Sequence, residues 1–296
     1  MKNRLLYLSL NLCSILLLIY TLRSKTKKVN KKYFWPLYFA FTGLNYFFEF
    51  FVLVIGKAYE YDPKILKKQY FDSIFGSTVS QLFVVPTISL FMNMFQLKTR
   101  WPTFFSLLLS LGIESFFVKQ KIFKLNWWAT PYTTVGLQLF YVIAKYWTIQ
   151  VTEKKNRVFE VLTVFFSVFV CYSTMNFLHV SLFRTCFFNV PLFKNRYRSH
   201  VTLSTLYSGL SSIFFVVAIL KNIKRRATIT VVSFILLETL LIKAKVIKIY
   251  SYPAFYTASL VTKVASMAIG KFIHQKLYEN NGSTALDCDK KEEMLV

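Results

Sequence analysis

Acidic side chains are scarce in this 296-residue chain, which has 13 Asp and Glu against 37 Lys and Arg and a net charge of +24. Charged residues make up only 17% of the sequence, whereas soluble domains have roughly 25%. Apolar residues reach 55% and collect in long runs, which is typical of a membrane protein. This composition excludes a soluble enzyme, a disordered chain and a secreted disulfide scaffold.

Residues for metal, cofactor or nucleophilic chemistry are also few. The four cysteines form no CxxC pair and the three histidines are scattered, so we expect no metal site, no disulfide framework and no cofactor. The motifs G-x-x-x-x-G-K-[ST], H-E-x-x-H and G-x-S-x-G are missing, and with them the signatures of common ATPases, zinc proteases and serine hydrolases. The bases lie in short clusters between apolar runs, where membrane topology explains them better than a nucleic-acid partner.

Nine apolar stretches have, or nearly have, the length of a membrane-spanning helix, which needs about 20 residues for a bilayer core of about 30 Å. All five Trp residues lie near the ends of these stretches, at the level of the headgroups. Pro86 lies inside the third stretch and predicts a kink that frees a backbone carbonyl. Eight spans are the alternative, because the eighth stretch is short. The nine stretches are 5–22, 33–55, 73–95, 102–118, 132–151, 158–180, 201–220, 227–242 and 253–272.

The density of Lys and Arg in the connections predicts the orientation of the spans. The connection 23–32 has six bases in ten residues, whereas the alternate connections 56–72 and 181–200 are longer and more dilute. The dense connections should face the cytoplasm and contact anionic lipid headgroups, with the amino terminus outside the plasma membrane. Residues 1–276 then form the membrane domain, and 277–296, rich in acids, is expected to be a disordered cytoplasmic tail.

A shift of 124 residues aligns two segments of the chain without gaps. Glu114 falls on Glu238, and each begins the pattern E-x4-K-x-K-x2-K, which is followed by Tyr-Thr. Charged positions are rare in apolar spans, so the match predicts an internal duplication of a four-helix unit. The repeats would cover about 33–151 and about 158–272 in parallel orientation, because each has an even number of spans. The span 5–22 is then an extra helix.

Three of the glutamates inside predicted spans lie at similar depth in the outer third of the membrane: Glu49, Glu114 and Glu238. Ionisable residues in spans are costly and are by default a functional-site hypothesis. They predict an outward-facing cluster that binds cations or relays protons, since neighbouring carboxylates cannot all ionise in a low dielectric. The alternative is that they hydrogen-bond neighbouring helices and only stabilise the bundle. Further candidate members of this site are Asn45, Asn176, His179 and Lys263, the last as a partner for Glu238.

Two short patterns resemble those of known membrane proteins. The segment 112–132 has a Glu in a span followed by an outer Asn-Trp-Trp turn, and it resembles uncharacterised multi-pass membrane proteins of endospore-forming Gram-positive bacteria. This resemblance covers roughly a fifth of the chain and implies a cell type but no activity. The run N-Y-F-F-E at 45–49 is similar to the N-x-F-x-E motif of membrane-embedded bacterial lycopene cyclases, but the P-x-E-E type motif of those enzymes is missing.

Three functions fit these features. The favoured one is a transporter, channel-like protein or sensor that uses the glutamates as cation or proton sites, so an enzyme is not the leading expectation. The second is an intramembrane enzyme that acts on a lipid or isoprenoid with a glutamate as general acid. The third is a structural or assembly subunit without a site. A water-accessible path to the glutamates would favour the transporter, and a groove open sideways to the lipid would favour the enzyme.

Overall fold

The computed structural model describes residues 2–98, 100–221 and 224–278, and these residues form nine helices. Each predicted apolar stretch coincides with one helix, so the all-helical class is confirmed. Six helices (α1 to α4, α6 and α7) are long and apolar enough to cross a membrane. The helices are α1 (Lys2–Arg23), α2 (Lys31–Ile55), α3 (Gln69–Met94), α4 (Arg100–Lys119), α5 (Thr130–Thr152), α6 (Arg157–Phe183), α7 (Arg196–Leu220), α8 (Lys224–Lys243) and α9 (Tyr252–Tyr278).

Asparagine side chains cap the start of three helices. The side-chain oxygen of Asn156 accepts a hydrogen bond from the backbone N–H of Val158 at 3.0 Å, and that of Asn195 accepts one from Tyr197 at 2.9 Å. Asn30 caps the first turn of α2 in the same way. Each bond satisfies one of the N–H groups that a helix start leaves without a partner, which fixes where α2, α6 and α7 begin.

The end of α9 lies beyond the predicted end of the membrane domain. Leu277 and Tyr278, which the sequence assigned to the tail, are the last residues of this helix. Leu277 is buried in the main hydrophobic core, together with Val29, which precedes α2, and Tyr33 in the first turn of α2, and this burial accounts for the longer helix. Residues 279–296, the rest of the predicted tail, lie outside the described residues.

The predicted kink at Pro86 is confirmed. The regular helix ends at Phe83 and resumes at Val85. Proline has no N–H to donate to the carbonyl four residues earlier, so the carbonyl of Leu82 loses its helical partner. The hydroxyl of Tyr38 in α2 donates to this oxygen at 2.8 Å. The break in α3 is thus satisfied by a neighbouring helix, as the absence of water in a bilayer core requires.

Two small antiparallel sheets join connections that are distant in sequence, and the sequence analysis predicted neither. β1 (Tyr59–Tyr61) pairs with β2 (Phe123–Leu125), and β3 (Cys186–Phe188) pairs with β4 (Ile247–Ile249). The guanidinium of Arg198, at the start of α7, donates from Nε to the carbonyl oxygen of Val54, near the end of α2, at 2.8 Å. This contact places both sheets at the same end of the helical bundle.

The centre of the bundle is α6, which packs against α2, α7 and α9. Two glycines allow close helix approach there. A Cβ atom on Gly43 of α2 would lie 2.4 Å from Phe166, and one on Gly270 of α9 would lie 2.5 Å from Val168. Small residues at such crossings let backbones approach and gain van der Waals contact, so these positions allow α2 and α9 to pack closely on α6.

Candidate functional site

Glu49 lies where α2 changes its helical form. It is the last α-helical residue before the π-helical segment Phe50–Ile55. Its carboxylate is buried: the Tyr59 hydroxyl donates to Oε2 at 2.6 Å, and the Ser77 hydroxyl donates to Oε1 at 2.7 Å. Burial, aided by the nearby Glu49 carboxylate, raises the pKa of Tyr59 in β1 well above its ordinary value. Tyr59 therefore keeps its proton and remains a donor to Glu49.

Glu114 lies at the end of a second π-helical segment, Leu108–Glu114 in α4. The hydroxyl of Thr133 donates to its Oε2 at 2.5 Å and in turn accepts a hydrogen bond from the indole N–H of Trp128 at 2.8 Å. Its Oε1 is buried, and among the described residues no donor is in hydrogen-bonding geometry with it. Short π-helical segments are frequent at functional sites, and here one of them ends at the buried Glu114 and the other begins directly after the buried Glu49.

One cavity of about 400 Å³ is lined by both Glu49 and Glu114. Asn45, one turn before Glu49, lines it as well, and its amide nitrogen is buried with no acceptor among the described residues. Most of the remaining lining is aromatic or aliphatic. Phe47 and Leu139, which belong to this lining, are 56% and 58% exposed on the outer surface of the bundle. The cavity therefore has a polar end at the carboxylates and an apolar side at the surface that would face lipid.

Glu238 lies apart from the other two glutamates and lines neither cavity described here. Lys263 of α9, which is fully buried, places its Nζ 2.6 Å from Oε1 of Glu238. Tyr207 also donates to Oε1, at 3.0 Å, and Ser259 donates to Oε2 at 2.6 Å. The ion pair expected from the sequence is present, and both carboxylate oxygens have partners.

His179 and Asn176 form a third, separate group that links α6 to its neighbours. The Nε2 of His179 lies 2.8 Å from the amide oxygen of Asn176, and its Nδ1 lies 2.6 Å from the hydroxyl oxygen of Thr185. The amide oxygen can only accept, so Nε2 carries the proton and Nδ1 accepts from Thr185. The amide nitrogen of Asn176 donates to Ser208 of α7 at 3.2 Å. Both ring nitrogens are thus used within the protein.

A smaller cavity of about 80 Å³ lies on the other side of Glu49, between α2, α3, α6 and α7. Glu49 and Gln81 line both cavities. His200 lines the smaller one, and its Nδ1 accepts a hydrogen bond from the backbone N–H of Phe188 at 3.0 Å. Several Ser and Thr hydroxyls complete the lining, which makes this cavity more polar than the larger one.

The candidate residues thus divide into three places. Asn45, Glu49 and Glu114 share the larger cavity, whereas the other four candidates lie elsewhere in the bundle. Sequence reasoning missed Tyr59 and Thr133, which donate to the two carboxylates, because nothing in the sequence shows that the connection at Tyr59 folds over Glu49 or that α5 packs beside Glu114. Among the described residues, no group of three His, Cys, Asp or Glu side chains is placed to hold a metal ion.

No family model matches the chain, and no curated protein or solved structure is significantly similar to it. The carboxylates and the cavity between them are therefore the basis for assigning a function.

Proposed function

We propose that this protein binds a lipid-like molecule within the membrane, with its apolar body in the larger cavity and its polar group at Glu49 and Glu114. One observation carries the proposal: the cavity of about 400 Å³ joins two buried carboxylates to side chains exposed on the lipid-facing surface. Its volume is within the range of about 300 to 1,000 Å³ typical of small-molecule sites. The opening to the side favours an enzyme or carrier for a lipid or isoprenoid over a water-filled transport path.

The lining fits such a ligand chemically. Rings and aliphatic chains cover most of the wall, including Phe48, Phe117 and Phe140, and they would pack against a hydrocarbon chain or an isoprenoid. The polar groups are confined to a few positions that would orient one end of the ligand, as in other ligand pockets. For chemistry, a buried carboxyl group that keeps its proton can act as a general acid and donate that proton to the polar end of the ligand.

Cation or proton transport is the second candidate, and one observation favours it. Oε1 of Glu114 is a buried carboxylate oxygen without a donor among the described residues, and such an atom is a candidate ligand for a proton or an inorganic cation. If this is the function, sodium or potassium should raise the unfolding temperature of the purified protein, and Glu114→Gln should abolish the effect.

A photoreactive long-chain isoprenoid alcohol tests the lipid proposal. We expect it to label residues of the larger cavity, Tyr59 and Trp128 in particular, and an excess of the unreactive alcohol to suppress this labelling. Gly136 lines the cavity, and a Cβ there would lie 3.9 Å from Phe48, so Gly136→Leu should fill the space and abolish labelling. Gly209→Leu is a matched control, since a Cβ there meets Phe169 at 3.8 Å and the residue lines neither cavity.

Three results would overturn the lipid proposal. They are labelling spread evenly over the lipid-facing surface, labelling that the unreactive alcohol does not suppress, and equal labelling of both glycine variants. A cation-dependent unfolding temperature together with any of these results would support transport instead.

We also propose that all nine helices cross the membrane. β1 and β2 pair although they lie before α3 and before α5, so α3 and α4 together return the chain to the same side. The pairing of β3 with β4 requires the same of α7 and α8. Since α3 and α7 are apolar enough to cross, the strand pairing supports a crossing by α4 and α8 as well. The orientation with the amino terminus outside the plasma membrane, and the contact of basic loops with anionic headgroups, stay sequence-based proposals.

The strand register supports the proposed duplication. The paired residues Tyr59 and Leu125 of the first sheet correspond to Cys186 and Ile249 of the second. Equivalent positions are thus 127 residues apart at the first strands and 124 apart at the second strands, so the segment from β3 to β4 is three residues shorter than the segment from β1 to β2. The relation to membrane proteins of endospore-forming bacteria remains a proposal from the sequence.

A further inference from the structure

The two glutamates at equivalent positions of the proposed repeats, Glu114 and Glu238, differ in one contact. In each case a hydroxyl from the helix that follows donates to Oε2: Thr133 for Glu114 and Ser259 for Glu238. Four residues after Ser259, α9 has Lys263, whose ammonium pairs with Oε1 of Glu238 at 2.6 Å. Four residues after Thr133, α5 has an apolar Leu137, and Oε1 of Glu114 has no donor among the described residues. The second repeat thus contains the cation that the first repeat lacks.

The charges around the larger cavity are of one sign. Glu49 and Glu114 line it, whereas none of its described lining residues is Lys, Arg or His. This is unusual in a chain with 37 Lys and Arg and only 13 Asp and Glu. A buried carboxylate without a cation is costly in a low dielectric, and a positively charged group entering the cavity would reduce that cost.

Aromatic rings cluster at the same end of the cavity. The ring centroids of Tyr59 and Phe123 are 4.8 Å apart, those of Tyr59 and Trp128 are 5.7 Å apart, and those of Tyr61 and Phe123 are 4.9 Å apart. All four rings line the cavity with the carboxylates. Groups of Trp, Tyr and Phe attract ammonium ions through their ring faces and form known sites for amine-bearing ligands.

We infer that the ligand of the larger cavity is a lipid-like amine, whose ammonium group pairs with Glu114 in the way that Lys263 pairs with Glu238. The inference rests on the proposed function and adds the chemical class of the polar group. The hydrocarbon part would occupy the apolar side of the cavity, and the ammonium would lie between the aromatic rings and Oε1 of Glu114. An alcohol of the same length has no charge to pair with the carboxylate.

Competition between two matched probes tests this inference. Hexadecylamine and hexadecanol would each be titrated against the photoreactive alcohol in detergent micelles, with labelling of Trp128 as the readout. We expect the amine to compete at a concentration about tenfold lower than the alcohol, because a hydrogen bond to a charged group is stronger than a neutral one by roughly a factor of ten in affinity. Butylamine, which has the charge but no long chain, should compete far less well than hexadecylamine.

Variants of single residues identify the carboxylate that binds the ammonium group. Glu114→Gln should remove the advantage of the amine over the alcohol. Glu153→Gln is the control for loss of a carboxylate, because Glu153 is exposed and lines neither cavity, and it should keep the advantage. Leu137→Lys places an ammonium four residues after Thr133, as Lys263 lies four residues after Ser259, and it should also abolish the preference for the amine.

Four results would overturn the inference: equal competition by hexadecylamine and hexadecanol, an amine advantage that survives Glu114→Gln, loss of that advantage in Glu153→Gln, and equal competition by butylamine. These results are distinct from failure of the proposed function, in which neither long-chain probe would compete at all.

Discussion

The buried pair of Glu238 and Lys263 gives the sharpest energetic prediction. Lys263 is fully buried and Glu238 is 4% exposed, with Nζ and Oε1 2.6 Å apart. Lys263→Met removes the ammonium and leaves a buried carboxylate without its cation, and Glu238→Met leaves a buried ammonium. Removal of one partner from a buried pair costs about 3 to 5 kcal/mol. A buried group can also change its protonation state, so we expect the lower end, about 3 kcal/mol, for each single variant.

The double variant Glu238→Met with Lys263→Met should be more stable than either single variant. It buries no charge, and replacement of a whole buried ion pair by apolar residues of similar size is often neutral or stabilising. The free energies of unfolding can be measured in mixed micelles with increasing fractions of a denaturing detergent, with circular dichroism as the readout. Lys271→Met is the control on the same helix, and because Lys271 is exposed, it should change stability by less than about 0.5 kcal/mol.

Two outcomes would refute this account of Glu238. If Lys263→Met is as mild as Lys271→Met, the ion pair does not contribute as described. If the effects of the two single variants simply add in the double variant, the groups are not coupled. The expected result is that removal of both groups restores stability. It would assign Glu238 a structural role, in contrast to the ligand-binding role proposed for Glu49 and Glu114.

Three further predictions concern packing and reactivity. Tyr38→Phe should destabilise the protein by about 1 kcal/mol, and by less in a Pro86→Ala background, where the helix satisfies its own carbonyl; equal costs in both backgrounds would contradict the described bond. Gly270→Val should lower the free energy of unfolding by about 1 to 3 kcal/mol through overpacking. Gly209→Ala should be tolerated in the same unfolding assay, because a Cβ atom at Gly209 would lie at an ordinary contact distance from its neighbours. Burial raises the pKa of Cys186 in β3 to about 12, so maleimide should modify it at neutral pH only after unfolding; fast modification of the folded protein would show that the strand opens.

Much of the architecture was predictable because it depends on local properties of the chain. The nine helices follow from apolar stretches as long as a bilayer is thick, and the kink in α3 follows from the missing N–H of Pro86. The sequence also suggested Lys263 as a partner for Glu238, because opposite charges inside predicted spans favour the formation of an ion pair. The four strands are each only three residues long, too short for an alternating pattern to identify.

The sequence by itself determined the helical class, the approximate bounds of the helices and the position of each ionisable residue along its helix. These properties are set by the spacing of residues along the chain. Only the tertiary structure decided that Glu49 and Glu114 share a cavity while Glu238 is paired elsewhere. Residues at one depth can face any direction around the bundle, and their direction depends on which helices pack together and where α2 and α4 become π-helical. The hydrogen-bonding partners of each carboxylate therefore depend on how the helices pack. Only the tertiary structure shows that Oε1 of Glu114 has no donor among the described residues.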